Sequence, residues 1–237
     1  MHNKFAILDG AQVWTGSWNY TDGATYRNNE NALSLEGQDI AVHYQKVFNQ
    51  MFEANLFGRK RPASGPVAPL SHGILAMFSP EDPIAEELLK RLSSARKSVT
   101  FLAFAITHPE VIDSLLARSQ TLPVRGIIER KLARSSGTRK LICGNGSKIQ
   151  LRLGVSPGNL HHDVMVLDDA LVITGSTNFS RAAFEKNDEN IVFIPDAQLA
   201  AKYMAEFSRF WMFSPFAGST RRAGRFSPIQ SPFIAAL

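Results

Sequence analysis

The chain has 237 residues, 44% of them hydrophobic and 20% charged, which suits one large globular domain or two small ones. Its single cysteine, Cys143, excludes an intrachain disulfide framework and any C-x-x-C metal or redox site. No run approaches 18 apolar residues, so no spanning helix is expected, and the formal charge of +5 suits an anionic partner without naming one.

In chain order, apolar alternation predicts strands at Phe5–Leu8, Gln12–Thr15 and Asn31–Leu35, then a helix from Asp39 to Ala54. Gly58 to Pro66 mixes glycine, proline and cations and predicts a linker over 58–68. Ser79-Pro80 reads as a helix start, with Glu81 and Asp82 in a first turn and Ile84, Leu88, Leu89 and Leu92 as the apolar stripe. Ser98–Ile106 reads as a buried strand, Pro109–Ala117 as a short helix and Val124–Ile128 as a strand. Arg130–Cys143 is open between loop and helix, and Ile149–Leu153 reads as a strand.

Further strands are expected at Val164–Leu167, Leu171–Thr174 and Glu189–Ile194, with a short helix after Ser180. Asp196 is placed to cap a helix reaching Met212, with Leu199, Tyr203, Phe207 and Phe210 on its apolar side. The tail over 214–237 is basic, contains proline and predicts irregular structure. Strands alternating with helices argue for a layered α/β domain.

Charge is uneven along this order. Residues 125–152 carry eight cations (Arg125, Arg130, Lys131, Arg134, Arg139, Lys140, Lys148, Arg152) against Glu129 alone. Arg221, Arg222 and Arg225 add to the excess. Such a segment is either a solvated face or a surface that gathers phosphates.

An internal repeat organises the chain. Residues 2–52 align without a gap on residues 161–211, at an offset of 159. His2 meets His161, Asp9 meets Asp168, and Thr15-Gly16-Ser17 meets Thr174-Gly175-Ser176. Asn19 meets Asn178, Glu30-Asn31 meets Glu189-Asn190, and Tyr44, Phe48 and Phe52 meet Tyr203, Phe207 and Trp211. About 90 residues, Pro69 to Leu160, precede the second copy, whereas only Met1 precedes the first. The expected organisation is a C-terminal part of a first repeat at 1–57, a linker at 58–68, a complete second repeat at 69–213 and a basic tail at 214–237. This arrangement predicts a truncated form of a longer protein, or else a short one that borrows the missing half by homodimerisation or leans on its complete repeat.

Each copy opens on histidine, places aspartate seven residues on and then reads Gly-Ser-x-Asn. Copy one is His2-Asn3-Lys4-Phe5-Ala6-Ile7-Leu8-Asp9 followed by Gly16-Ser17-Trp18-Asn19. It resembles the phospholipase D superfamily, whose signature is H-x-K-x4-D with G-S-x-N. Copy two, His161 to Asp168 with Gly175-Ser176-Thr177-Asn178, resembles it as well. The resemblance implies an α/β layered fold, a mixed β-sheet flanked by helices, with two pseudo-symmetric repeats and the first truncated. It also implies one composite active site, a phosphohistidine formed on His2, His161 as general acid, and no metal or other cofactor.

The residue types suit that chemistry. Histidine can act as nucleophile and can exchange a proton near neutral pH. Lys4 lies two residues from His2 and so on the same side of an extended segment, where it can meet the same phosphate. Ser17, Asn19, Ser176 and Asn178 can donate to phosphate oxygens. Glu30 and Glu189 could each hold the far ring nitrogen of a histidine, in a pairing the sequence leaves open. Asp9 and Asp168 sit an odd number of positions from the histidines and read as turn or capping residues, with an indirect electrostatic role as the alternative. His162 alternates away from His161. Phe78, Phe101 and Phe104 read as core, and Trp18 and Tyr20 either pack or line the pocket entrance.

One departure stands out. Asp163 occupies the lysine position of the second motif and places an anion where a negative substrate should sit. That predicts weakened catalysis unless Arg139 or Lys140 reaches in. The expected substrate is a phosphodiester, either a phospholipid head group, with an anionic membrane surface as partner, or nucleic acid. The alternatives are a nuclease acting on DNA, or an impaired protein that only binds phosphate.

Overall fold

The structure is a computed structural model that describes residues 1–63, 68–144, 146–155, 158–217 and 233–236. Arg221, Arg222 and Arg225, and part of the expected linker, lie outside the described residues.

The first repeat runs β1 (Phe5–Leu8), β2 (Gln12–Gly16), α1 (Asp22–Tyr26), β3 (Asn31–Glu36) and α2 (Gln38–Phe52). The next stretch supplies β4 (Leu75–Ser79), α3 (Ile84–Ser94), β5 (Val99–Ala103), α4 (Pro109–Arg118), β6 (Val124–Ile128), α5 (Ser136–Cys143) and β7 (Gln150–Leu153). The second repeat then runs β8 (Val164–Leu167), β9 (Leu171–Gly175), α6 (Arg181–Glu185), β10 (Glu189–Ile194) and α7 (Ala197–Phe213), and β11 (Phe233–Ala236) follows.

Two sheets result. The smaller has the order β1-β2-β3-β11, and the larger, mixed sheet has the order β4-β10-β9-β8-β5-β6-β7. In the larger sheet, alternate residues such as Phe101, Met165 and Ile173 face the helices of the middle segment, in a core with Leu88, Leu92 and Leu115. Residues of opposite parity, among them Leu102, Val164 and Val192, join Val13 and Leu33 of the small sheet in a second core. Helices α2 and α7 lie in that shared core through Tyr44, Val47, Tyr203 and Phe207. The layered α/β reading therefore holds.

Three elements depart from the sequence reading. Leu75–Ser79, a short apolar run before Pro80, is strand β4, and α3 begins at Ile84 instead of at Ser79-Pro80. Arg130–Cys143 resolves into a 3-10 turn at Arg130–Leu132 and helix α5. Phe233–Ala236 of the expected irregular tail pairs in parallel with β3.

The repeats reuse the same local devices. Thr21 caps α1 by accepting from the Ala24 N–H, and Ser180 caps α6 by accepting from the Ala183 N–H, each at 3.2 Å. Asp9-Gly10 and Asp168-Asp169 both turn at positive φ, closed by Ala11 N–H to Leu8 O and Ala170 N–H to Leu167 O. Two successive left-handed residues match the twist of a tight hairpin, so the motif aspartates are turn residues. Asp168 also accepts from the backbone N–H groups of Arg96, Lys97 and Ser98 at 2.6–3.0 Å.

The two copies differ in what covers them. In the second, the stacked rings of Phe207 and Trp211 lie over Arg125 of β6 and Arg152 of β7. The equivalent Phe48 and Phe52 stack at 5.3 Å on the outer face of α2, and both are exposed.

Gly16 and Gly175 bring the strand ends close to their neighbours. A Cβ at Gly175 would lie 2.3 Å from Asn190 O, and φ there is +144°. Gly175→Ala should therefore lower the unfolding free energy by about 2–4 kcal/mol in urea melts. Gly10→Ala, at φ +63° with open space around it, should cost only about 1 kcal/mol. Equal losses would contradict the close-approach account.

Candidate active site

The repeats meet at their histidines, and the contact is an exchange. The His2 N–H donates to Asp188 O at 2.9 Å, and the His161 N–H donates to Asn29 O at 2.8 Å. The side chains cross in the same sense. His2 Nδ1 lies 2.8 Å from Glu189 Oε2, and His161 Nδ1 lies 2.8 Å from Glu30 Oε2. Each histidine is thus held by the glutamate of the other repeat, which settles the pairing the sequence left open. With Nδ1–H given to a carboxylate, the lone pair or second proton of each ring sits at Nε2.

Both glutamates are fully buried, and each is saturated by its own repeat. Ser17 Oγ donates to Glu30 at 2.8 Å and Asn28 Nδ2 donates at 3.0 Å. Ser176 Oγ donates to Glu189 at 2.7 Å and Asn187 Nδ2 donates at 3.2 Å. Each serine also accepts a backbone N–H, from Asn31 or Asn190, at 3.0 Å. Ser17 and Ser176, expected as phosphate donors, are buried, and their hydroxyls donate to the glutamates. Asn19 and Asn178 remain half-buried, and Asn178 Oδ1 has no partner among the described residues.

The lysine position makes the site asymmetric. Lys4 is buried, with Nζ 3.1 Å from the His2 ring nitrogens and 3.0 Å from His2 O. Burial lowers its pKa from the usual lysine value, against the pull of Glu189, Asp163 and Glu30. Asp163 is also buried, at φ 43°, and its Oδ1 accepts from the Phe104 N–H at 2.9 Å. Its Oδ2 has no hydrogen-bond partner among the described residues and lies 4.0 Å from His161 Nδ1. Burial pushes the Asp163 carboxyl up to about 6, against the opposing effect of His161. Burial also works to lower the pKa of His161, but the Glu30 hydrogen bond and the charges of Asp163 and Glu30 outweigh it and leave the group raised.

The remaining expectations sort by position. Asp9 and Asp168 stay in their hairpin turns. His162 points away from His161, is buried and lies 3.3 Å from Glu206 Oε1. Phe78 and Phe101 are core, but Phe104 is half-buried, with its ring 5.0 Å from that of His161. Trp18 and Tyr20 pack on each other at 4.6 Å beside Asn19.

The basic segment is dispersed. Arg152 sits between Trp211 and Phe216, and Lys140 pairs with Asp113 at 2.5 Å on an exposed helix face. Lys140 is thus engaged elsewhere and does not compensate for Asp163. Arg130, Lys131 and Arg134 are exposed on the loop after β6, where Lys131 Nζ donates to Asn159 Oδ1 at 2.6 Å, two residues before His161.

Sequence reasoning missed several supports. Asn31 Nδ2 donates to His162 O and to Thr174 Oγ1, and Tyr203 OH donates to Asn31 Oδ1. Asn190 mirrors this, accepting from Thr15 Oγ1 at 2.7 Å and from Tyr44 OH at 3.4 Å. The signal was available, since all six residues are identical between the repeats. Glu129, the one acid of the basic segment, accepts from the Leu160 N–H at 2.7 Å and so fixes the approach to His161.

A family model described as "Cardiolipin synthase, PLD-like domain" matches residues 1–52 and 88–211. The chain belongs to the phospholipase D-like family. Among its relatives, a phospholipase D of Rickettsia bellii is 29% identical over 54% of this chain and 63% of its own length. A mitochondrial cardiolipin hydrolase of Xenopus laevis is 29% identical over 55% of this chain and 62% of its own. The chain thus matches less than two thirds of the length of these curated relatives.

Of solved structures, the phospholipase D family member Nuc from Salmonella typhimurium aligns with a TM-score of 0.53 and 25% identity, over 60% of this chain and 96% of Nuc. A phosphatidylserine synthase from Haemophilus influenzae aligns with a TM-score of 0.65 over 95% of this chain and 65% of its own, at 12% identity, which speaks to the fold alone.

In this phospholipase D-like site, Asp163 ties stability to pH. Its folded pKa of about 6 lies above the ordinary 3.8, so the folded chain holds this proton more tightly than the unfolded one. The resulting stability is full below pH 3.8 and is lost as pH rises through about 6. Asp163→Asn should therefore be more stable than the parent at pH 8 by about 3 kcal/mol in urea unfolding, and equal to it below about pH 4. A variant no more stable at pH 8 would refute the assignment.

Proposed function

We propose that the protein is a phosphodiesterase that cleaves its substrate through a covalent phosphohistidine, without a metal. The supporting observation is the pair of histidines held on Nδ1 by exchanged glutamates, each at 2.8 Å, with both Nε2 atoms left for chemistry.

In the first step, the lone pair of His2 Nε2 attacks phosphorus and forms a P–N bond. The bond from phosphorus to the leaving oxygen breaks, and His161 Nε2–H supplies the proton that oxygen needs. In the second step, neutral His161 takes a proton from water. The water oxygen attacks phosphorus, and the P–N bond breaks to regenerate His2. Lys4 offsets negative charge on the phosphoryl group. In this reading Asn19 and Asn178 are the donors to its oxygens, whereas Ser17 and Ser176 act through the glutamates.

The preferred substrate is a phospholipid, a reading supported by relatives named phospholipase D and cardiolipin hydrolase. The exposed Arg130, Lys131 and Arg134 beside the His161 loop favour DNA as the second reading. We read residues 1–57 as a partial first repeat and 69–213 as a whole second one; the uncovered Phe48–Phe52 pair supports this organisation.

Hydrolysis of bis-p-nitrophenyl phosphate in EDTA tests the proposal. Turnover should persist in EDTA and fall about 10³-fold in both His2→Ala and His161→Ala. Acid-quenched enzyme should carry phosphate on His2. Turnover that survives either substitution would refute the two-histidine reading.

A further inference from the structure

We propose that Asp163 is a positioning residue that keeps His161 as the proton-carrying member of the pair, while Lys4 leaves His2 as the nucleophile. This assignment rests on the two-histidine reaction proposed above. It reverses the view that Asp163 is a defect in the second motif.

The repeat itself supplies the comparison. Positions 4 and 163 are equivalent at the offset of 159, and each lies two residues after its histidine. The nearest hydrogen-bonding partners of the two rings match: a glutamate at 2.8 Å on Nδ1, a serine on that glutamate, and a backbone N–H given to the other repeat. At this position the charge is reversed between the repeats. Lys4 places its Nζ 3.1 Å from the His2 ring. Asp163 places a carboxylate 4.0 Å from His161 Nδ1, which favours a proton there. The His161 ring is therefore biased toward the imidazolium that protonates the leaving oxygen.

The charges facing His161 come from three elements. Glu30, just before β3, and Asp163, just before β8, favour its protonation, while Lys4, just before β1, opposes it. The net direction is upward. Asp163 is anchored for the task, since the Phe104 N–H holds Oδ1 and the Phe104 ring lies against His161. Its backbone is left-handed at φ 43°, which aspartate and asparagine tolerate better than most residues. A lysine here would need a long side chain in a fully buried site beside Phe104. Restoring the family lysine should therefore not restore catalysis.

The test is a pH titration of the His161 imidazole by NMR in the full chain and in Asp163→Asn, with the pH–rate profile recorded in parallel. In the variant, the His161 midpoint and the basic limb of kcat should both move to lower pH, by about one unit. Asp163→Lys should show no gain in turnover. In the parent, the His161 resonance should also sense Asp163 as a second inflection near pH 6, a readout that needs no variant. An unmoved His161 midpoint, a single inflection in the parent, phosphate trapped on His161, or faster turnover in Asp163→Lys would each overturn the assignment. Because the titration needs no turnover, a failed phosphodiesterase assay leaves this result readable.

Discussion

Two buried carboxylates that each hold the opposite repeat's histidine govern this molecule. Glu30 and Glu189 have no exposed surface, so each must be fully hydrogen-bonded or neutral. Each takes a serine and an asparagine from its own repeat and a histidine from the other. Separating the repeats would remove the histidine contact from both. The junction is therefore specified by directional polar contacts as well as by the shared apolar core, and small displacements cost hydrogen bonds that water cannot replace.

That constraint reaches outward in layers. Asn31 and Asn190 lie beside the glutamates, and each takes a tyrosine hydroxyl, from Tyr203 or Tyr44, at its Oδ1. These tyrosines project from α7 and α2, so the long helices of the shared core also register the site. Gly16 and Gly175 complete the set. Only residues without a Cβ let the ends of β2 and β9 press onto Asn31 and Asn190, which brings Ser17 and Ser176 within reach of the carboxylates. The Gly-Ser pair of the motif thus brings a hydroxyl onto the buried glutamate of its own repeat.

Much of this was legible in the sequence because it is local or repeated. Strands β1, β6, β8 and β10 match their expected ranges, since alternation, the tight Asp9-Gly10 and Asp168-Asp169 turns and the caps at Ser180 and Asp196 are short-range signals. Strand β4 was missed because Ser79-Pro80, with Glu81 and Asp82 behind it, carries a helix-start signal that masks the short apolar run before it. The Glu–His exchange and the burial of Asp163 were illegible for another reason. They join residues 131 and 187 positions apart, or depend on the Phe104 N–H from a different strand end, and no local pattern encodes such a meeting. The contacts of Ser17 and Ser176 with the glutamates were equally illegible, because a hydroxyl suits a phosphate and a carboxylate equally well until its burial is known.

The unequal residues at positions 4 and 163 show why internal symmetry and catalysis pull in different directions. A symmetric pair of histidines, each with the same glutamate and the same cation, has no built-in distinction between attacking base and proton donor. The reaction needs one of each at the same moment. In the proposed reaction, a carboxylate 4.0 Å from His161, with no counterpart at position 4, supplies such a distinction and leaves the shared scaffold of glutamates, serines and asparagines unchanged. The cost falls on folding, because Asp163 is an ionisable group in a site that resists its ionisation. A fold under selection for stability alone would place asparagine there, which would keep the Phe104 contact and remove the buried charge. A carboxylate at that position is therefore better explained by its effect on His161 than by any contribution to the fold.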